Sequence, residues 1–242
     1  MPFSDITLYT PTPHKVGTPE YWAETSLRNF ISDLYVSKMN GYKPPGATRI
    51  TIQPSFHGNW LKPAKIGSIV STSPYYNFDD YERRDRNGKY KYVLDLIQTA
   101  TLQASDEFNW DKSVFENAYN EVIAANFKFQ KDYPSKLARD KKKLASLSIE
   151  KTETVTFLYV SVKGSNLAIK KKLFEKKNSW WYDCTYMLAK HGKWFDTDRF
   201  GIAYRKNHIV AWYSIIEDKV VLIENGREVE QINFRKHFLF QQ

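Results

Sequence analysis

The chain is poor in cysteine and has no long apolar run. Cys184 is its only cysteine, so an intramolecular disulfide is excluded and the fold must be stabilised by its core. No segment approaches the roughly 18 consecutive apolar residues that a membrane-spanning helix needs. Residues 1–6 lack a basic region followed by an apolar stretch. We therefore expect a cytoplasmic protein with no membrane association and no classical secretion signal.

The spacing motifs of common metal and nucleotide sites are absent as well. The five histidines form no H-x-x-H or H-x-x-x-H pair, and one cysteine cannot form C-x-x-C. The ten glycines form neither G-x-x-x-x-G-K-S/T nor G-x-G-x-x-G, and no G-x-S-x-G occurs. The sequence therefore predicts no metal ion and no cofactor, and it identifies no class of enzyme.

Helical patterns dominate the first half of the chain. Thr18 and Pro19 match the N-cap and the first position of a helix. Apolar residues then recur at spacings of three and four as far as Met39, which predicts a long amphipathic helix. Short strands are expected after this helix, at residues 49–52 and 68–72.

Two more helical patterns follow, at residues 93–104 and 113–126. Ser113 and Glu116 form a capping-box pattern, in which each side chain satisfies a backbone N–H at the start of the helix. Because the two segments are close together in the chain, they predict a helical hairpin.

Beyond Pro134 the apolar period changes from 3.6 to 2. Alternation at residues 145–150 and later β-branched or aromatic runs, including residues 180–188, predict an antiparallel meander. The sequence thus predicts an α+β fold, with a helix-containing half at 1–133 packed with a sheet-rich half at 134–242. No Gly/Ser linker separates the halves, so one continuous domain is the alternative.

Positive charge is concentrated in one segment. The net charge is +9, and residues 134–177 alone carry 12 basic and 4 acidic side chains. Lysines beside aromatic residues are what a surface for single-stranded nucleic acid requires. The structural alternative is a solvated sheet edge, where lysines discourage pairing between edges. The candidate binding residues are Lys141, Lys142, Lys143, Lys170, Lys171, Lys172, Trp180 and Trp181.

A catalytic site of an unfamiliar kind is a further hypothesis. Cys184 precedes His191 and His208, which allows a Cys-His pair, and the carboxylates of Asp196 and Asp198 could ligate a cation. Each feature also has a structural explanation, because free cysteines are mostly buried and aspartates are common in turns. An enzyme would be favoured if Cys184, His191, Asp196 and Asp198 converged in one cleft.

Three functional hypotheses of different classes result. The first is a non-enzymatic protein of the inhibitor or immunity-protein type, which binds a protein partner through an aromatic and basic surface on the C-terminal sheet. Electrostatic steering favours an acidic partner. The second is a nucleic-acid-binding protein that uses the lysine runs. The third is an enzyme with a site near Cys184.

Overall fold

The computed structural model describes residues 5–57, 61–178 and 184–234. The chain divides into two compact units, Met1–Lys128 and Phe129–Gln242. The fold is α+β, as the sequence predicts, with the long helices in the first unit and a series of antiparallel strands in the second. Among the described residues, no helix is long and apolar enough to cross a lipid bilayer.

A four-stranded sheet with helices on one face forms the first unit. The strands β1, β2 and β4 are parallel, and β3 is antiparallel to β4. Alternate strand residues are buried where α1 and α3 pack on the sheet, which explains the period-2 pattern of residues such as Ile50 and Ile52. The elements are β1 (Asp5–Leu8), α1 (Pro19–Lys38), β2 (Arg49–Ile52), β3 (Leu61–Ile66), β4 (Ile69–Ser73), α2 (Phe78–Glu82), α3 (Arg86–Phe108) and α4 (Lys112–Ala124), with the strand order β1-β2-β4-β3.

The predicted first helix and the helical hairpin are confirmed, with one correction at a cap. Thr18 caps α1, and its Oγ1 accepts a hydrogen bond of 3.3 Å from the N–H of Tyr21. The N-cap of α4 is Asp111, whose Oδ1 accepts a hydrogen bond of 3.0 Å from the N–H of Ser113. The capping-box prediction at Ser113 is therefore wrong, because the earlier Asp111 offers an equally favoured capping side chain.

A buried tyrosine joins the three long helices. The hydroxyl of Tyr35 on α1 lies 2.7 Å from Gln98 Oε1, 3.0 Å from Thr101 Oγ1 and 3.1 Å from the carbonyl oxygen of Phe115. Burial raises the pKa of this phenol well above its usual range. Tyr35 is fully buried, so its hydroxyl depends on the protein for its hydrogen-bond partners.

We expect Tyr35→Phe to lower the free energy of unfolding by about 1–2 kcal/mol, because the buried site loses a hydroxyl whose hydrogen bonding water cannot replace. The matched control is Tyr42→Phe, since the Tyr42 hydroxyl only accepts an exposed hydrogen bond of 3.2 Å from the N–H of Asp111. Urea unfolding of both variants measures the difference. Equal losses in the two variants would show that the buried hydroxyl has no special role.

The second unit contains two five-stranded sheets. In the first sheet the strand order is β5-β7-β8-β9, and β6 also pairs with β7; in the second sheet the strands β10 to β14 form a simple meander. All of these pairs are antiparallel. The elements are β5 (Phe129–Asp132), β6 (Lys136–Leu137), β7 (Lys143–Lys151), β8 (Val155–Gly164), β9 (Leu167–Lys177), α5 (Thr185–Ala189), β10 (Gly192–Trp194), β11 (Arg199–Tyr204), β12 (Ile209–Ser214), β13 (Lys219–Glu224) and β14 (Arg227–Val229).

The strand predicted over residues 180–188 is wrong in its second half. Thr185–Ala189 is the short helix α5, in which Thr185, Leu188 and Ala189 are buried at spacings of three and four. These residues pack against β7, β8 and β11, so tertiary contacts decide the conformation over the aromatic content of the segment. The candidate binding residues Trp180 and Trp181 lie outside the described residues.

Candidate functional site

The sheet of β5 to β9 buries one face within its own unit. Alternate residues of β7 and β8, such as Leu147 and Val160, are fully buried. The helix α5 and the second sheet lie on this inner side. A Cβ placed on Gly192 would be 2.8 Å from Leu147 Cδ1, and Lys171 forms an ion pair of 2.8 Å with Asp218. The opposite side of the sheet, which we call the outer face, consists mainly of half-buried and exposed side chains.

Four rows of side chains cross the outer face, because residues paired on neighbouring strands point to the same side of a sheet. The pairing register defines the order of the rows from one end of the sheet to the other. The rows are Leu137, Leu144, Lys163 and Ala168; then Ser146, Ser161 and Lys170; then Asp132, Ser148, Tyr159 and Lys172; and finally Gln130, Glu150, Phe157 and Glu175.

Two aromatic rings lie on the outer face, in the two rows farthest from Leu137 and Leu144. The ring centroids of Phe157 and Tyr159 are 6.2 Å apart on β8. Lys170 Nζ lies 4.7 Å from the centroid of the Tyr159 ring, and Lys172 Nζ lies 5.6 Å from that of Phe157. Both rings are half-buried, so part of each ring surface is open to solvent. An ammonium group over an aromatic ring is attracted by the ring quadrupole, which holds these lysines close to the sheet.

The run Lys170, Lys171 and Lys172 does not form a single cluster, because alternation in β9 places Lys171 on the inner side. Lys170 pairs with Glu150, and this hydrogen bond raises the pKa of Lys170. The hydrogen bond from Lys172 to Glu175, at 2.5 Å, raises the pKa of Lys172.

On the inner side, the hydrogen bond from Lys171 holds the pKa of the Asp218 carboxyl below its usual range, with a further contribution from the Tyr213 hydroxyl. Each of the three lysines is thus matched by a carboxylate. The first run in the chain, Lys141, Lys142 and Lys143, differs in this respect.

Four cations at one end of the sheet have no such partner among the residues that the structure describes. Arg139, Lys141 and Lys142 lie in the turn between β6 and β7, and Lys163 ends the neighbouring hairpin strand. The two turns are adjacent, because a Cβ on Gly164 would lie 3.3 Å from the carbonyl oxygen of Lys142. We call Arg139, Lys141, Lys142 and Lys163 the cationic corner. All four are exposed, and none forms an ion pair with another residue in the described ranges.

Lys143, the third member of the first run, is the exception. Its Nζ lies 3.8 Å from Asp140 Oδ2, and its side chain is half-buried. Lys143 belongs to β7 and pairs with Gly164, so it marks the start of the sheet beside the cationic corner. The sequence grouped Lys141, Lys142 and Lys143 together, whereas the structure leaves only the first two without an ion pair among the described residues.

The residues proposed for a catalytic site near Cys184 differ in burial and in their neighbours. Cys184 is fully buried, whereas His191 is exposed with its ring 5.2 Å from that of Tyr204. His208 is also exposed, and its Nδ1 lies 2.7 Å from Asn225 Oδ1. A thiolate nucleophile must reach its substrate, and a fully buried sulfur atom has no such access.

The two aspartates of this hypothesis stabilise turns. Asp196 Oδ1 accepts hydrogen bonds from the N–H groups of Asp198 and Arg199, at 2.8 and 2.7 Å. Partial burial acts to raise the pKa of Asp196, but its hydrogen bonds with Arg199 and Asp198 outweigh it and lower the pKa. Asp198 accepts from Ser214 Oγ at 2.5 Å and from the N–H of Ile216 at 2.7 Å. Both carboxylates are therefore occupied by the protein itself, as expected of turn residues.

No group of three or more histidine, cysteine, aspartate or glutamate side chains suited to a metal ion occurs in the part of the chain that the structure describes. A cation bound by Asp196 and Asp198 would have to share these carboxylates with their present hydrogen bonds and, at Asp196, with the Arg199 ion pair. The outer face combines half-buried aromatic rings with lysines, and the cationic corner adds exposed cations at one end of the same sheet.

Several exposed aromatic residues were not singled out by the sequence patterns. Tyr9 is 49% exposed, Phe56 is 46% exposed and Tyr75 is 43% exposed. They follow the carboxyl ends of β1, β2 and β4 in the first unit. The position of these ends at one edge of the sheet depends on parallel pairing, which the sequence patterns did not predict.

The two units differ in charge. Residues 1–128 contain 14 basic and 14 acidic side chains, and residues 129–242 contain 22 and 13. The whole net charge of +9 therefore belongs to the second unit, which carries the outer face.

Comparisons with family models, with curated proteins and with solved structures find no match to this chain.

Proposed function

We propose that this protein is a non-enzymatic binding protein of the inhibitor or immunity-protein type, and that it recognises an acidic protein partner through the outer face of the second unit. The observation that carries the proposal is the pair Phe157 and Tyr159 on an open sheet face. Their rings are half-buried and lie beneath Lys170 and Lys172. Aromatic side chains of this kind dominate the energetics of protein interfaces, surrounded by polar residues that exclude water.

The mixed signs of charge on the outer face favour a protein over a nucleic acid. Asp132, Glu150 and Glu175 stand among the lysines, and a chain of phosphates would meet these carboxylates as like charges. A protein partner can match both signs in one interface. The charge of +9 in the second unit gives the long-range attraction for a partner of net negative charge.

The test is affinity purification of the tagged chain from its native host, with and without nuclease, followed by reconstitution from purified components. We expect a protein that survives nuclease, binds the purified chain in a one-to-one complex and has an acidic isoelectric point. We expect association to slow with added salt while the complex persists, because steering is screened but the aromatic contacts are not.

Two results would contradict the proposal. Recovery of nucleic acid alone, lost on nuclease treatment and on raising the salt concentration, would support the nucleic-acid hypothesis and its lysine runs instead. Substitutions on the outer face that keep the net charge of the chain also test the proposal. If the purified partner binds such a variant as tightly as it binds the wild type, recognition lies elsewhere on the chain.

A further inference from the structure

An exposed aliphatic pair lies beside the cationic corner. Leu137 on β6 and Leu144 on β7 are direct cross-strand partners, and they are 54% and 45% exposed. Leu144 is also paired with Lys163 on β8. The first row of the outer face is therefore an apolar spot with a cation at its side, and the turn with Arg139, Lys141 and Lys142 is at its end.

Backbone hydrogen bonds hold the turn between β6 and β7, and they leave its charged side chains and the neighbouring leucine pair open to a partner. The turn is held by backbone hydrogen bonds of 2.8 Å from Ala138 N to Lys143 O and 2.9 Å from Lys141 N to Ala138 O. The N–H of Lys142 donates to Asp140 Oδ1 at 3.0 Å. The side chains of the corner take no part in these bonds, so they are available to a partner without any loss to the turn.

We propose that this end of the outer face binds an acidic segment of the partner that carries an apolar side chain, with the apolar side chain on Leu137 and Leu144 and the carboxylates on the cationic corner. The inference rests on the proposed function and adds the chemistry of the segment that docks there. Charge complementarity identifies the occupant, because four exposed cations without ion-pair partners in the described ranges lie at the side and at the end of an apolar pair. The remaining aromatic rows supply contacts to the rest of the partner.

One polar row supports a separate role for this corner. Ser146, Ser161 and Lys170 lie between the leucine row and the rows of Tyr159 and Phe157. None of these three side chains is apolar, so the leucine pair and the aromatic pair are two distinct apolar centres on one face. A partner that covers the whole face would meet both, whereas a short peptide can meet one alone.

The experiment uses the full chain and three short fluorescent peptides as probes. The first peptide is rich in glutamate and contains leucines, the second has serine in place of leucine, and the third has lysine in place of glutamate. We expect binding of the first peptide only, weakened about 10-fold or more by the triple variant R139E/K141E/K142E and to a similar extent by L137S/L144S. Raising the salt concentration should weaken the peptide's binding to the wild type.

A matched control changes the charge of the same unit by the same amount at other exposed positions. The variant K190E/K193E/K206E serves this purpose, since these three lysines are exposed and lie outside β5 to β9. We expect it to retain most of the affinity for the first peptide. Equal losses in the two triple variants would overturn the inference, because the effect would then report net charge rather than a site.

The remaining outcomes test other kinds of ligand and show whether this inference or the proposed function fails. Tighter binding to vesicles containing phosphatidylserine, or to oligodeoxythymidine, than to the acidic peptide would overturn the inference in favour of a lipid surface or a nucleic acid. If the peptide fails to bind but the purified partner still depends on Phe157 and Tyr159, this inference falls and the proposed function stands. If substitutions in the cationic corner and in the aromatic pair both leave the purified partner's affinity unchanged, both proposals are wrong.

Discussion

Gly201→Ala is expected to unfold the second sheet of the C-terminal unit or to weaken it severely. Gly201 is buried in β11, where it pairs with Lys193 on β10 and with Trp212 on β12. A Cβ at this position would lie 1.9 Å from the carbonyl oxygen of Ala211 and 2.6 Å from the Cα of Trp212. Both are backbone atoms of a paired strand, so no side-chain rotation can make room.

We expect a loss of about 3 kcal/mol or more in the free energy of unfolding, at the upper end of what overpacking costs, because two hydrogen-bonded strands must separate. The matched control is Gly226→Ala in the turn between β13 and β14. Gly226 has a φ of +80° and no atom within 4 Å of its Cβ position, so only backbone strain of about 1–2 kcal/mol is expected there.

Hydrogen exchange gives the direct measurement. Amides of β11 and β12 should lose protection in Gly201→Ala and retain it in Gly226→Ala, while urea unfolding gives the overall difference. Equal stability of the two variants would mean that β11 and β12 can move apart at little cost.

The second large effect concerns binding. We expect the double variant Phe157→Ser and Tyr159→Ser to weaken the purified partner's affinity about 100-fold or more, because each central aromatic residue of an interface contributes about 2 kcal/mol or more. The two rings are half-buried on an open face, so their replacement removes contact area without opening a cavity in the core. Isothermal titration of the reconstituted complex measures the change.

The control for this variant is Tyr9→Ser and Tyr75→Ser, which removes two exposed rings from the first unit. We expect this pair of changes to leave the affinity within about threefold, in keeping with energetically neutral positions. If the control weakens binding and the Phe157 and Tyr159 variant does not, the partner binds the first unit and the assignment of the outer face is wrong.

Local patterns predicted most of the helices because their signals are short-range. Thr18 and Pro19 mark the start of α1, and apolar spacing fixes its buried stripe. The cap of α4 shows the limit of such signals, since Asp111 and Ser113 are both favoured capping residues and only the folded chain selects one. The helix at Thr185–Ala189 shows it again, because contacts with β7, β8 and β11 overrule local preference.

The candidate site could be predicted only in part. The lysine runs are visible in the sequence, but their pairing is not, because Glu150 and Asp218 are brought to Lys170 and Lys171 by other strands. Phe157 and Tyr159 lie in a predicted strand that is apolar on both faces, so alternation alone could not tell which rings are open to solvent. The convergence expected for a catalytic site near Cys184 would likewise depend on tertiary contacts.

The fold class, the absence of an intramolecular disulfide and the location of the positive charge follow from composition and from the apolar periods of two and 3.6 residues. Only the folded chain shows that β1, β2 and β4 are parallel, that Asp218 lies beside Lys171, and that four cations have no ion-pair partners among the described residues. These features depend on which strands meet and in which register. Pairing of that kind joins residues far apart in the chain, and local patterns carry no information about it.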